Sequence, residues 1–521
     1  MELKPRHRLR GPWSTCRSTR RRRSPARPGA RSVALAGLVL ALPALGSLSA
    51  QAAPSKNEQG NATAGALSAR VGAQCTDGRL RLFLTNRSDA EQTFTIKGPD
   101  DEAGTISRTV AAGEHRALSW TRPDGRPYAF EVTAPGGFKK TESGTGSCGL
   151  GEGKPQMNTT ELFSSSTRFE GMLGPDGKEY TGTSKSVRIP AMAVTNNGTV
   201  LAVTDARIDG SADLPGNVQI GMRRSTDSGQ TWSTPEIVQH SDTTKEGSGD
   251  SSLLVDRETN RVFLFYNHSP EGTGFFNRDS RVNTPDDPNS LHIRYRTSDD
   301  DGRTWSEPVE LNPQVKSTTW MNLFAASGHG IQTDGGRLIQ PIVYRTEDDV
   351  THATNIISDD HGRTWRPGAK AGSLVNESKA VQRGNGDIAQ NMRHNTMKNR
   401  NYATSPDGSA PYGEMKSSDV LVDPRNNGDE ISYLKPGPGA PGLTRTALFS
   451  NTASATAREN LTVRLSTDDG ANWSHDAVIE PGEAGYSTMA VLGDGSVGNL
   501  YEVDGFGGIF FSRFTPDWIK Q

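Results

Sequence analysis

Residues 225–232, Ser-Thr-Asp-Ser-Gly-Gln-Thr-Trp, set a pattern S-x-D-x-G-x-T-W that returns along the chain. Further copies are residues 298–305 (Ser-Asp-Asp-Asp-Gly-Arg-Thr-Trp), 358–365 (Ser-Asp-Asp-His-Gly-Arg-Thr-Trp) and 466–473 (Ser-Thr-Asp-Asp-Gly-Ala-Asn-Trp), the last with Asn for Thr. A decayed copy, Ser-Pro-Asp-Gly-Ser-Ala-Pro-Tyr, occupies residues 405–412. The Ser-to-Ser spacings are 73, 60, 47 and 61. Most exceed the about 40–50 residues of WD and kelch units and fit a four-stranded unit with long loops. Each copy has the chemistry of a hairpin turn. The Asp carboxylate accepts N–H bonds from residues just ahead of it, the Gly supplies a positive φ, and the Trp returns to an apolar layer between sheets. Apolar β runs precede the copies, for example residues 219–222 (Gln-Ile-Gly-Met) and 291–295 (Leu-His-Ile-Arg-Tyr).

These octapeptides are Asp boxes, and residues 157–521 resemble the six-bladed β-propeller of the sialidase superfamily. The boxes are structural turns, so they argue for a fold and say little about chemistry. Asp-box propellers also occur in non-catalytic binding proteins.

Upstream, residues 54–153 read as a small β-sandwich domain. Residues 79–85 (Arg-Leu-Arg-Leu-Phe-Leu-Thr), 92–97 (Gln-Thr-Phe-Thr-Ile-Lys) and 128–132 (Tyr-Ala-Phe-Glu-Val) alternate polar and apolar positions. Such period-2 runs between Gly, Pro and Asp turns predict antiparallel strands, about seven in this span. Trp120 is expected in the core or at its rim, and the Gly-rich residues 143–156 as a linker. The fold class is therefore all-β, a six-bladed propeller preceded by a sandwich.

The first 52 residues have the order of a secretory signal peptide: a basic stretch with four consecutive arginines at 20–23, the apolar run 32–49, then Ala50-Gln51-Ala52. Cleavage after Ala52 predicts a secreted, extracellular protein without stable membrane insertion. The mature chain has 47 Lys and Arg against 59 Asp and Glu, a net charge of −12, which argues against nucleic acid as a partner. Cys16 leaves with the leader. Cys75 and Cys148 remain, an even count in an oxidising compartment, and are predicted to form a disulfide. Two cysteines are too few for a structural zinc site by themselves.

The functional reading rests on scattered positions in chain order. Val187-Arg188-Ile189-Pro190 is similar to the R-I-P motif that opens sialidase propellers. Asp213, in Ala212-Asp213-Leu214-Pro215-Gly216, lies where the family has its acid/base aspartate ahead of the first box; Asp209 is a local rival. Asn376-Glu377-Ser378-Lys379-Ala380-Val381 followed by Asn391-Met392-Arg393 resembles the family's N-E-x-x-x-V and N-x-R pair, departing at Gln382, where Glu is common. Arg458, before the fourth box, is similar to a third arginine. Gly485-Tyr486-Ser487-Thr488-Met489 resembles the segment of the nucleophilic tyrosine, and Glu502 the glutamate that orients the first arginine.

The resemblance implies a retaining exo-α-sialidase acting on sialylated glycoproteins, glycolipids or oligosaccharides, as a monomer and without metal or cofactor. A sialoside carries a carboxylate on its anomeric carbon. A guanidinium offers a rigid two-donor fork to such a group and stays charged at any working pH, so Arg188, Arg393 and Arg458 would select and orient it. The same carboxylate repels an anionic nucleophile. A phenol, neutral until its proton leaves, avoids that penalty, so Tyr486 would attack with Glu377 as its base. Asp213 would protonate the leaving oxygen and then activate water. Arg207 and Asp250 match pocket-lining positions, Asp250 toward the N-acyl or O-4 side of the sugar. Phe275 and Phe276 either wall the acetamido pocket or pack in the core, and His329 is expected to be structural. Alternatives are transfer to a sugar acceptor, hydrolysis of a related acid sugar, and non-catalytic glycan binding. The sandwich domain is expected to act as a spacer or weak adhesion module.

Overall fold

In a computed structural model of the chain, the described residues are 66–71, 79–99, 104–121, 127–145, 156–436, 443–503, 505 and 507–521. The expected leader, Cys75 and Cys148 lie outside them. The regular structure of the described residues is nearly all β-strand, with helix confined to short stretches such as Asn312–Val315 and Pro516–Lys520.

Among the described residues, seven strands precede residue 146. Leu67–Val71, Arg79–Asn86 and His115–Thr121 form one antiparallel sheet; Thr105–Val110, Gln92–Lys97, Pro127–Ala134 and Phe138–Thr145 form another. Alternate residues of both sheets, among them Leu80, Leu82, Phe94, Ile96, Phe130 and Val132, share one apolar core, and Trp120 packs at its rim on Phe130. The strand Phe138–Thr145 runs into the stretch expected as linker. Its sequence has almost no apolar alternation, and the backbone ladder to Pro127–Ala134 holds it.

The rest of the chain folds as successive antiparallel meanders. The first contains Ser186–Val194, Val200–Arg207, Val218–Ser225 and Glu236–Gln239. Gly247–Asp256, Arg261–Ser269, His292–Ser298 and Val309–Glu310 follow. Next come Asn322–Ala325, Leu338–Arg345, Thr351–Ser358 and Arg366–Pro367, then Val375–Gln382, Ile388–His394, Asn399–Ser405 and Lys416–Val422. The last sheet has seven strands. Its 17-residue strand His475–Val491 pairs with Glu459–Ser466 through its first half and with Val497–Val503 through its second. Met157–Ser164, the first strand of this region, pairs with Gly508–Phe514, the last.

The repeated octapeptides sit where they must to make these turns. Each begins on the last residue of a third strand: Ser225, Ser298, Ser358, Ser405 or Ser466. In the first, Asp227 Oδ1 accepts the N–H groups of Gln230 (3.1 Å) and Thr231 (2.9 Å), and Oδ2 accepts the Thr231 hydroxyl. Ser225 Oγ accepts the Gly229 N–H at 2.8 Å. Gly229 has φ 83°. A Cβ there would lie 2.3 Å from Phe511, on which Trp232 packs edge-on. The decayed copy keeps the same turn, with Asp407 Oδ1 accepting the Ser409 and Ala410 N–H groups.

The inner strands run between two ends. Arg188, Asp250, Glu377 and Tyr486 lie toward one; Val194, Val255, Gln382 and Val491 lie at the other, around a cavity of about 540 Å³. The strand His115–Thr121 lines that far cavity. Ala117 N–H donates to the Glu258 carbonyl at 2.7 Å, and Arg79 pairs with Asp334 at 2.8 Å.

Candidate active site

Four inner strands carry a register break beside a polar side chain: between Arg188 and Ala191, Gly249 and Ser252, Val375 and Ser378, and Ala484 and Ser487. A bulge leaves one residue unpaired and turns its side chain out of the regular alternation. Here the breaks present Arg188, Asp250, Glu377 and Tyr486 at one end of the inner strands. The conformations are unusual for such residues, with φ 57° at Ile189 and 53° at Asp250.

Glu502, wholly buried on Val497–Val503, organises one side. Its Oε1 accepts Arg188 Nε (3.1 Å) and the Ile189 N–H (2.8 Å); Oε2 accepts Arg188 Nη2 (3.3 Å) and the Tyr486 N–H (3.0 Å). One carboxylate thus fixes both the guanidinium plane and the tyrosine backbone. Gly485 makes room for it, since a Cβ there would lie 2.1 Å from Glu502 Oε2.

Tyr486 is the centre of the cluster. Its hydroxyl donates to Glu377 Oε2 at 3.0 Å and accepts from Arg393 Nη1 at 2.8 Å, and Arg393 Nη1 also donates to Glu377 Oε2. The guanidinium carbons of Arg188 and Arg458 lie 5.0 and 5.2 Å from the ring centroid. Burial, then the Glu377 carboxylate, push the phenol up to about 12, against the pull of the three arginines. It therefore holds its proton at neutral pH. The Arg188 and Arg393 guanidiniums are held charged: burial alone would lower them, but the anionic partners outweigh it.

Asp213 sits on the loop after Val200–Arg207, its side chain 72 % exposed, with Oδ1 2.7 Å from Arg207 Nη2 and 3.4 Å from Arg188 Nη1. Burial of its surroundings favours the neutral acid, but Arg207 and then Arg188 prevail and hold it below the usual carboxylate range. Asp209 is exposed and lines a surface cavity with Arg207. Phe275 is buried against Phe324, whereas Phe276 is largely exposed. His329 Nε2 pairs with buried Asp429 at 2.9 Å. Gln382, the departure from the family pattern, accepts the Asp334 N–H at the far end of its strand, so the change does not touch the cluster.

Two buried charges were not singled out from sequence. Lys379 follows Glu377 by two residues, and its Nζ donates to the Ser327 carbonyl (2.7 Å) and Asn427 Oδ1 (2.8 Å). Burial lowers it to about 8, with Asp429 and Glu377 opposing. Asp205 is an acid in a strand whose every residue is buried, Val-Leu-Ala-Val-Thr-Asp-Ala-Arg. A charged residue in such a run is itself a signal.

Known proteins resemble this chain in sequence and in fold. Residues 198–499 match the family model described as BNR repeat-like domain, and residues 63–145 that of the bacterial phospholipase C C-terminal domain. A sialidase of Micromonospora viridifaciens is 40 % identical over 340 residues, 64 % of this chain and 52 % of that protein. A Bacteroides fragilis sialidase is 29 % identical over 63 % of this chain and 62 % of its own length. The chain thus spans roughly half to three-fifths of these relatives. Among solved structures, Hadza microbial sialidase Hz136 superposes with TM-score 0.60 at 23 % identity, covering 87 % of this chain and 93 % of that one. An intramolecular trans-sialidase from Ruminococcus gnavus gives 0.56 at 20 %, over 65 % and 96 %. These likenesses establish the β-propeller fold.

Proposed function

This chain belongs to the BNR-repeat (Asp-box) family, with bacterial sialidases among its relatives, and we propose that it is a secreted retaining exo-α-sialidase working through a covalent intermediate on Tyr486. The observation that carries this reading is the Glu377–Tyr486–Arg393 triangle with Arg188 and Arg458 across the ring. A neutral phenol hydrogen-bonded to a carboxylate and ringed by cations suits attack on an anionic sugar.

In the proposed cycle the substrate carboxylate is bound by the guanidiniums of Arg188, Arg393 and Arg458. Tyr486 Oη forms a bond to the anomeric carbon as its proton passes to Glu377 Oε2. The bond from that carbon to the aglycone oxygen breaks, and Asp213 gives its proton to the leaving oxygen. Asp213 is ionised in the free protein. The arriving carboxylate neutralises Arg188 and displaces water, both of which favour the neutral acid, so Asp213 gains its proton as substrate binds. In the second step Asp213 accepts a proton from water, which attacks the anomeric carbon; Tyr486 leaves and recovers its proton from Glu377. Activity should therefore fall as pH rises and Asp213 can no longer be protonated.

We read the meanders as six propeller blades, the seven-stranded sheet being two blades joined through His475–Val491 and closed by Met157–Ser164. The seven strands before residue 146, sharing one core, support the sandwich reading. Residues 1–52 support export, and terminal sialic acids on glycoconjugates or oligosaccharides are the proposed substrates. Likeness to an intramolecular trans-sialidase keeps transfer as a second reading, which the products separate. The test is fluorophore release from an aryl sialoside by the 53–521 protein, with the sugar product identified by mass. Free sialic acid is the expected product. An anhydro or transferred sugar would favour transferase chemistry, and no turnover from pH 4 to 8 with sialic acid still bound would move the protein to the binding class.

A further inference from the structure

Asp205 has no role in the mechanism above, yet it is the carboxyl around which the acid/base corner is built. It is 1 % exposed. Its Oδ1 accepts the Asp250 N–H at 3.0 Å, and its Oδ2 lies 3.7 Å from Arg207 Nη2. The backbone that approaches it is shaped for it. A Cβ at Gly249 would come within 2.9 Å of Asp205 Oδ2, and Asp250 adopts φ 53°, a conformation that non-glycine residues hold only when their surroundings enforce it.

The charges at this corner do not balance if every acid is ionised. Asp205, Asp250 and Asp213 converge on Arg207, while Arg188 already spends Nε and Nη2 on Glu502 and reaches Asp213 only at 3.4 Å. Arg207 is itself committed to Asp213 (2.7 Å) and the Ser211 carbonyl (2.6 Å). An uncompensated carboxylate in the interior is far more costly than a neutral carboxyl. A proton therefore resides on the buried pair, and Asp205 is the member farther from solvent.

We propose that Asp205 is a positioning residue that stays neutral in the working enzyme, clamping the backbone of Asp250 while leaving the charge of Arg207 to Asp213. This rests on the sialidase reading only for its effect on turnover. Burial and the neighbouring Asp250 both raise Asp205 well above the usual carboxylate range, with Arg207 opposing and Asp213 adding to the rise. Asp250, faced by Asp213 and Glu377 on one hand and Arg207 and Arg188 on the other, is pushed up to about 7, mainly by burial. The remaining strand beside Asp205 presents apolar Ile220.

The test compares the wild-type 53–521 protein with Asp205→Asn and Asp205→Ala, following release of sialic acid from sialyl-lactose from pH 4 to 8 and thermal unfolding without substrate. Asn is isosteric, keeps the acceptor for the Asp250 N–H, and is neutral at every pH. Turnover of Asp205→Asn within about twofold of wild type at acid pH, where Asp205→Ala, whose clamp is gone, loses at least about tenfold, supports the proposal. A loss in Asp205→Asn as deep as in Asp205→Ala overturns it. Unfolding needs no substrate, so it reports on Asp205 even if wild type released no sialic acid. A carboxyl raised in the folded state stabilises below its unfolded value and loses that contribution as pH rises through the folded value. Wild type should therefore lose more Tm than Asp205→Asn between about pH 4 and 7, and parallel curves would contradict a neutral Asp205.

Discussion

Tyr486 gains its proposed reactivity from position. Its hydroxyl has two partners, Glu377 and Arg393, and its ring faces two guanidiniums. Replacing Glu377 by Gln keeps the hydrogen-bonded shape but removes the proton acceptor. We expect kcat to fall by about 10²–10⁴-fold, the usual contribution of a positioned base, with KM little changed; steady-state kinetics on an aryl sialoside checks this. Asp213 should behave differently. Asp213→Ala should lower kcat/KM little on an aryl sialoside, whose leaving group needs no proton, and much more on sialyl-lactose, while kcat falls on both because water is no longer activated. Equal losses of kcat/KM on both substrates would deny it the acid role. Of these residues, the family motifs allowed each position to be singled out in sequence, because each lies in a short recognisable segment. Asp205 was legible only as a charge in the run 200–207, and its role, like that of Lys379, was not, since that arises from which strand packs beside it.

At the scale of elements, the turns were the most legible feature because their physics is local. The Ser, Asp, Gly and Thr of a box bond to one another within a span of four residues. Ser358 shows what such a bond contributes. Its buried hydroxyl accepts the Gly362 N–H at 2.8 Å, and the glycine lies against Phe263. Ser358→Ala leaves that N–H unpaired and should destabilise the fold by about 1–3 kcal/mol, read as a lower midpoint in urea with kcat unchanged. The register breaks that aim Arg188, Asp250, Glu377 and Tyr486 were not legible, because a bulge depends on the partner strand. The strand Phe138–Thr145 was hidden for the same reason: its ladder, and no apolar pattern of its own, holds it in place.

In the whole molecule the reactive cluster and the first seven strands lie at opposite ends of the inner strands. The Ala117–Glu258 hydrogen bond and the Arg79–Asp334 ion pair anchor those strands beside the far cavity, a docking that sequence could not reveal because neither partner carries a motif. A protein beginning at residue 156 should lose thermal stability while retaining turnover of a small soluble sialoside; loss of that turnover would contradict an accessory role for residues 54–153. Every route through this molecule ends at the Tyr486 hydroxyl, so the most direct measurement is chemical. The protein is treated with a fluorinated sialosyl fluoride, which forms the glycosyl-enzyme but hydrolyses slowly, and the modified residue is located by peptide mass mapping. The account predicts one sialosyl adduct, on Tyr486, absent from Tyr486→Phe. An active enzyme labelled on a carboxylate, or not labelled at all, would contradict it.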